Sequence, residues 1–284
     1  MDFTLKKYFT LLLKLHKRYN AFLPFNEFIK SSLQSVLPLQ ANYPSTILLR
    51  HDVDLLPQNA LKMAQLEESL GIKGTYYFRI VPESYNEKIM KSIADLGHEI
   101  GYHYEDIDLT IKLYDLRIKN DNDKERLIDL AYQNFCQNLA KMREVAEIRT
   151  ICMHGSPRAK YDNKIIWKKY DYKTLGIVGE PYFDIDFNEF AYFTDTGRRW
   201  NGNNVSIRDK VKSRYNFNFK STQEIIGNID KLPSKIMFTI HPQRWNNQIL
   251  PWAKELVWQN TKNIVKAALL NSSKNSNDFV KHLE

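Results

Sequence analysis

The sequence predicts an α/β protein, built as a distorted (β/α)7 barrel, and two observations support this fold class. Short runs rich in β-branched and aromatic residues alternate with segments of helical periodicity along the 284 residues. In addition, acidic residues and histidines repeatedly follow the apolar runs. The carboxyl ends of barrel strands share one face, on which active sites are built, so this placement favours a barrel.

Seven segments are predicted strands, and the helices between them imply parallel βα units with right-handed crossovers. These strands are residues 46–53, 75–80, 98–104, 149–155, 175–179, 190–195 and 235–241. Apolar spacing predicts helices at residues 58–70, 86–96, 123–146 and 251–270. We therefore expect an N-terminal helical extension over 1–45, a barrel over 46–245, and a C-terminal helix with a polar tail over 246–284.

Composition excludes several classes of protein. Apolar residues make up 43% of the chain and aromatic residues 13%, which indicates a folded protein rather than a disordered one. The two cysteines, Cys136 and Cys152, are too few for a disulfide framework. The net charge of +8 comes from scattered basic residues without a nucleic-acid motif, so no nucleic-acid partner is expected.

The first thirty residues resemble a mature amphipathic helix rather than a targeting segment. They contain no apolar run that could cross a bilayer and no small-residue cleavage site, which predicts a cytoplasmic location. Phe9, Leu12, Leu13 and His16 recur at helical spacing. This stripe predicts packing against the body of the protein, and no membrane association is expected.

Two carboxylates follow the apolar residues of the first predicted barrel strand. In an extended stretch Asp52 and Asp54 point to the same side, so their charges would converge. Such a pair is costly without a cation, which makes it a candidate site. The alternative for Asp54 is a solvated turn or a helix N-cap, because Pro57 and a helix follow.

Four histidines stand at or near strand ends. His98 and His103 are five residues apart, so they face opposite sides of a regular strand and only one can be a ligand. His154 and His241 each end an apolar strand. We expect His103, His154 and His241 to reach the barrel mouth, and His98 to have a structural role.

Two further segments could contact a substrate. The turn at Gly155 and Ser156 exposes backbone N–H groups that could stabilise an oxyanion. Arg198, Arg199 and Trp200 could clamp an anionic substrate or a sugar. A surface arginine pair is the plainer explanation for the two arginines.

The remaining chemistry is that of acids and histidines. The sequence contains no serine nucleophile elbow, no phosphate-cradling glycine loop and no dinucleotide fingerprint. Carboxylate and imidazole ligands suit zinc, with manganese, cobalt or nickel as alternatives. Three protein ligands would leave room for an activated water.

The order of four motifs resembles the polysaccharide deacetylase (NodB homology) superfamily, in a divergent branch that carries HDVD. The motifs are an apolar strand ending in Asp52-Val53-Asp54, then Gly74 to Arg79, then GHEIGYH, and a late strand ending in His241-Pro242. The resemblance spans residues 46–245. It implies a metal-dependent hydrolase in which Asp52 is the general base, Asp54 and His103 bind the metal, and His241 protonates the leaving amine.

This chain departs from the family pattern at two positions. The family's second metal-binding histidine would stand at position 107, where this chain has Ile107. We expect His154 to be the third ligand, with Glu105 or Asp106 as alternatives. The family's Arg-x-Pro-Tyr motif is also absent, so Arg198 or Arg199 is expected to orient the base.

The expected activity is N-deacetylation of an N-acetylated sugar or sugar nucleotide during surface polysaccharide biosynthesis. Two alternatives remain. One is hydrolysis of another C–N bond, as in amidase or ureide-cleaving relatives of the same barrel. The other is a catalytically silent carbohydrate-binding protein that keeps the barrel and has lost the metal.

Overall fold

A parallel sheet forms the centre of the computed structural model, which describes residues 1–34, 45–155, 159–200 and 211–263. Its strands are β1 (Ala21–Phe22), β2 (Thr46–Val53), β3 (Thr75–Phe78), β4 (Glu99–Tyr104), β5 (Ile151–Met153), β6 (Ala191–Thr194) and β7 (Lys235–Ile240). Six of them run in the order β5-β4-β3-β2-β7-β6, and β1 pairs with the start of β2. The sheet curls into a half-barrel with helices around it, which confirms the predicted α/β fold class.

Helices connect the strands and cover the sheet. They are α1 (Leu5–His16), α2 (Phe25–Gln34), α3 (Pro57–Glu68), α4 (Glu87–Asp95), α5 (Asp106–Leu113), α6 (Asp121–Arg143), α7 (Pro181–Asp184) and α8 (Thr222–Gly227), and residues 249–263 are also helical. Short 3-10 turns lie at Asn163–Lys168, Tyr172–Leu175, Ile229–Lys231 and Pro242–Arg244. Within the described ranges, no helix has both the length and the apolar content needed to cross a bilayer.

Strand β2 divides its side chains between two buried faces, because all eight of its residues are buried. Ile47 and Leu49 pack in one core cluster with α1. Leu48, Arg50 and Asp52 alternate with them and therefore point to the opposite side, which we call the inner face. Near the start of the strand, Leu48 packs with Phe25 of α2, so an apolar cluster lies below the polar residues of the inner face.

A close approach on the inner face explains the glycine in the GHEIGYH segment. The ring of Tyr77 crosses the backbone of Gly101, where an added Cβ would lie 2.3 Å from the ring. The Tyr77 hydroxyl then reaches Thr150 Oγ1 at 3.0 Å. A side chain at position 101 would displace this ring from the middle of the barrel.

The element bounds differ from the predicted ones in a few places. Residues 175–179 form only an isolated bridge, Thr150 to Gly179, because a 3-10 turn ends at Gly176 with a positive φ of 73°. The N-terminal segment is interrupted by β1, and α5 was not predicted. Residues 35–44 and 264–270 of the predicted helices lie outside the described residues.

The buried face of α1 is rotated from the predicted stripe. Its buried residues are Tyr8, Leu11, Leu12 and Leu15, whereas Leu13 is 37% exposed and His16 is exposed. The helix packs through Tyr8, a residue that the stripe left out. The expectation that α1 packs against the protein body is nevertheless met, because these four residues belong to a core cluster of the sheet.

Candidate metal centre

Side chains from four strand ends converge on the carboxylate of Asp54. His103 Nε2 lies 3.6 Å and His154 Nε2 3.7 Å from Asp54 Oδ1. His241 Nε2 lies 3.9 Å from Asp54 Oδ2. The ligand atoms of Asp54, His103 and His154 all lie within 4.8 Å of one another, a spacing that suits a single metal ion. We call Asp52, Asp54, His103, His154 and His241 the inner cluster.

The other ring nitrogen of each histidine is held by an acceptor. His103 Nδ1 donates to the Cys152 carbonyl at 2.9 Å. His154 Nδ1 lies 2.9 Å from Glu105 Oε2, and His241 Nδ1 lies 2.6 Å from Asp195 Oδ1. Carbonyl and carboxylate oxygens can only accept, so the neutral forms of His103 and His154 carry their proton on Nδ1 and turn the Nε2 lone pair towards Asp54. Metal-binding histidines are oriented in this way. Arg244 Nη1, which can only donate, also lies 2.6 Å from His241 Nδ1.

Asp54 has an oxygen that its protein surroundings leave unsatisfied. Among the residues that the structure describes, no hydrogen-bond partner reaches the buried Oδ1, whereas Oδ2 accepts a bond from Gln243 at 3.1 Å. Burial works to raise the pKa of this carboxyl, but His154, His241 and His103 together hold it well below its usual range. Asp54 is therefore ionised, and its Oδ1 faces the Nε2 atoms of His103 and His154. It does not cap α3, whose N-cap residue is Leu56.

The neutral state of His103 suits a ligand. Burial lowers the pKa of His103 to about 4, although Asp52 and Asp54 oppose this shift. His154 differs, because burial is outweighed by the hydrogen bond that it donates to Glu105 and by Asp54, and its pKa is raised. The pKa values of two imidazoles in one cluster are thus shifted in opposite directions, that of His103 by burial and that of His154 by its carboxylate neighbours.

Arg50 forms a two-pronged ion pair with Asp52. Its Nε and Nη2 donate to the two carboxylate oxygens at 2.8 and 2.7 Å, and both residues are buried. Burial would raise the pKa of Asp52, but Arg50 and His103 outweigh burial, and the pKa lies below its ordinary value. Asp52 Oδ2 lies 3.6 Å from His103 Nε2. The carboxylate is therefore ionised and fixed in orientation at the edge of the inner cluster.

The arginine that orients Asp52 is Arg50, which corrects the expectation that Arg198 or Arg199 would do so. Arg198 lies between the rings of Phe3 and Trp252, with its Cζ 5.1 and 5.0 Å from their centroids. Only 7% of Arg198 is exposed, and Arg199 is exposed. Arg50 precedes Asp52 by two residues on one strand, so the alternation of β2 could have identified it.

The other predicted substrate residues are placed differently from one another. Trp200 is 2% exposed and packs on Phe3 and Trp245, and its Nε1 donates to Thr222. Its ring therefore belongs to the core and offers no accessible surface to a substrate. Gly155 is half-buried and directly follows His154. Ser156 lies outside the described residues.

His241 is oriented by Asp195, a buried carboxylate at the end of β6. Asp195 also accepts bonds from Arg244 and from Trp245 Nε1, the latter at 2.8 Å. Burial raises its pKa, but Arg244 and His241 lower it to about 2. An ionised Asp195 fixes the His241 ring with Nε2 turned towards Asp54.

Asp106 and Glu105, the alternative third ligands, face different surroundings. The Asp106 carboxylate accepts bonds from Tyr102 at 2.8 Å and from Asn138 at 2.8 Å, so its oxygens are occupied away from the inner cluster. Glu105 lies behind His154 and is paired with Arg79. Neither carboxylate belongs to the Asp54 group of metal-compatible residues.

His98 belongs to a separate buried network on the outer face of the sheet, as the spacing from His103 predicted. The outer cluster consists of Glu67, His51, His98, Tyr8 and Tyr76. Glu67 accepts from the Tyr76 hydroxyl at 2.9 Å and pairs with His51 Nε2 at 2.8 Å. His98 Nε2 is 3.0 Å from the Ala64 carbonyl, and its Nδ1 accepts from Gly74 N at 3.1 Å.

Comparisons with known proteins find distant structural neighbours. No family model matches the sequence, and no curated protein does. Solved structures that match this chain include a CE4 family pseudoenzyme from Bacillus anthracis and a mutant of it with restored enzymatic activity. Each is 13% identical to this chain, with a TM-score of 0.34 and 78% of this chain covered. The match covers 60 to 63% of those chains.

Proposed function

We propose that this chain is a metal-dependent hydrolase of the polysaccharide deacetylase superfamily, acting on the amide of an N-acetylated sugar or sugar nucleotide in surface polysaccharide biosynthesis. The observation that carries the proposal is the buried, unpartnered Oδ1 of Asp54, which faces the Nε2 atoms of His103 and His154. A buried anion with a free oxygen is costly unless a cation occupies that place.

The donor set fits a divalent metal. Asp54, His103 and His154 supply one oxygen and two nitrogens, a mixture that suits zinc and also cobalt, nickel or manganese. Three protein ligands leave a position for water. A bound cation would lower the pKa of that water and polarise the scissile carbonyl.

Two residues of the inner cluster would move protons. Asp52, ionised and fixed by Arg50, would accept the proton of the attacking water. His241, with Nδ1 held by Asp195, would donate from Nε2 to the departing amine. Asp52 lies near the end of β2, and His241 follows the neighbouring strand β7, so the substrate amide would lie between base and acid.

The substrate class rests on chemistry outside the inner cluster. The net charge of +8 and the exposed Arg199 are compatible with a phosphorylated or acidic sugar, and the backbone after His154 at Gly155 could contact the oxyanion. We propose that the reaction takes place in the cytoplasm on a biosynthetic precursor.

Acetate release from N-acetylated sugar nucleotides by metal-loaded protein tests this function. We expect release that depends on the metal and falls by at least about 100-fold in Asp52→Asn, since general-base catalysis contributes that much. Asp129→Asn, which changes an acid on the surface of α6, is the matched control. Release that persists in Asp52→Asn would overturn the role of Asp52.

Elemental analysis separates the alternatives. The proposal predicts stoichiometric metal in purified protein and a strong loss of it in His154→Ala. Protein that binds sugar but holds no metal after loading would be a silent binder. Metal-loaded protein that leaves N-acetyl sugars intact but cleaves ureides or other amides would belong to the amidase type.

A further inference from the structure

We propose that Arg79 and Glu105 act together as a positioning pair that prepares the metal centre before the metal binds. Both residues lie beyond strand ends, Arg79 after β3 and Glu105 after β4. Neither is among the residues that could ligate the metal with Asp54. The inference rests on the proposed function, because it concerns how the same centre is assembled.

The first step is the contact between Glu105 and His154. Glu105 Oε2 accepts the Nδ1 proton of His154 at 2.9 Å, which turns Nε2 towards Asp54. His103, by contrast, is oriented by the Cys152 carbonyl of the sheet itself. His154 follows the last residue of β5, and within the described residues its Nδ1 is held by the Glu105 side chain rather than by a backbone carbonyl.

The second step is the bidentate ion pair that Arg79 forms with Glu105. Arg79 donates from Nε and Nη2 to its two oxygens, each at 2.8 Å, and the Glu105 side chain is only 6% exposed. A two-pronged pair of this kind fixes the plane of the carboxylate as well as its position.

The third step is a contact between Arg79 and the backbone of Asp54, the candidate ligand that follows β2. Arg79 Nη1 donates to the backbone carbonyl of Asp54 at 3.2 Å. One guanidinium thus holds the backbone of one candidate ligand, Asp54, and through Glu105 the ring of another, His154. The two ligands come from β2 and β5, which do not pair with each other. Arg79 therefore sets the separation between them.

Metal affinity measured by competition with a chromophoric chelator tests the positioning role. Glu105→Gln keeps an acceptor for Nδ1 and should weaken metal binding by about 10-fold, whereas Glu105→Ala should weaken it by about 100-fold. Arg79→Met should fall between them. The control is the exposed pair Arg149 and Glu147, where Arg149→Met should leave affinity unchanged. Wild-type affinity in Glu105→Ala would overturn the proposal.

The cobalt spectrum distinguishes positioning from direct ligation. If Glu105 acts through His154, Co(II)-loaded Glu105→Gln keeps the visible band pattern and coordination number of the wild type. A change in coordination number in that variant would make Glu105 a ligand and overturn its positioning role.

A measurement on metal-free protein separates this inference from the proposed function. At alkaline pH, nitrogen-15 NMR of the wild type should show His154 protonated on Nδ1, and Glu105→Ala should lose that preference. If the wild type bound no metal, the hydrolase proposal would fail, yet the tautomer would still report the positioning pair. An Nε2-protonated His154 in the wild type would overturn the pair whatever the metal content.

Discussion

The inner and outer clusters both combine buried carboxylates with histidines and both take residues from β2, yet only one of them is complete. In the outer cluster, Glu67 receives hydrogen bonds on both oxygens, and His98 has a partner on each ring nitrogen. In the inner cluster, Asp54 Oδ1 has no hydrogen-bond partner among the described residues and faces two Nε2 atoms, while a third lies near Oδ2. Buried histidine and carboxylate groups alone therefore do not identify a site; unsatisfied atoms that converge do.

The largest expected effect is on stability, and it separates the clusters. Glu67→Gln should destabilise the protein by about 3 kcal/mol, because it breaks a fully buried pair with His51. Asp54→Asn, tested metal-free at alkaline pH where the imidazoles are neutral, should change stability by less than about 1 kcal/mol, since Asp54 accepts one hydrogen bond, from Gln243. Urea unfolding monitors both variants. Equal losses would contradict the distinction between the clusters.

The next effect is a pH dependence of the free energy of unfolding, which arises from Glu99, an inner-face acid below the metal centre. Burial raises the pKa of Glu99 from 4.5 to about 7, although Thr150, Asn26 and Thr75 donate to it. Between these values the folded protein keeps a proton that the unfolded chain has lost. Stability should therefore fall as pH rises from 4.5 to about 7, by at most about 3 kcal/mol from this group.

Glu99→Gln checks this sign. Unfolding across that pH window should show a shallower decline in the variant than in the wild type. The decline should not disappear, because burial also raises the pKa values of Asp106 and Glu180 to about 7. Glu125→Gln, at an exposed acid, is the control. An unchanged slope in Glu99→Gln would show that Glu99 is ionised in the folded protein.

The smallest effect should come from single hydroxyls of the outer cluster. Tyr76→Phe removes one hydrogen bond to Glu67 and keeps the ring, which stacks on His51 with centroids 4.0 Å apart. We expect a loss of about 1 kcal/mol in the free energy of unfolding. Metal affinity should not change, because the hydroxyl lies on the opposite face of the sheet. A drop in metal affinity would show that the two clusters are coupled.

Strand-end chemistry could be predicted from the sequence, whereas contacts across strands could not. The period of two placed Asp52 and Asp54 on the same side, and it separated His98 from His103. The same period would have revealed Arg50 as the partner of Asp52. The contact of His154 with Glu105 joins the ends of β5 and β4, whose pairing is not encoded locally.

The role of aromatic and basic side chains was the hardest to predict. Arg198 and Trp200 lie in a segment rich in polar residues after β6, and this composition suggests a substrate-binding loop. In the folded protein, residues distant in sequence bury them, including Phe3 and Trp252. Burial of this kind depends on where the chain termini pack, which local pattern does not reveal.

The alternation along β2 also has a consequence for how the strand must align during folding. A shift of this strand by one residue would turn His51 and Val53 inward and send Arg50 and Asp52 towards Glu67 and the helices. One slip would thus leave the buried Glu67 without His51 and the metal centre without its base. The buried pair of Glu67 and His51 therefore favours the native register of β2. The alignment of the proposed base, Asp52, thus depends on residues outside the proposed substrate site.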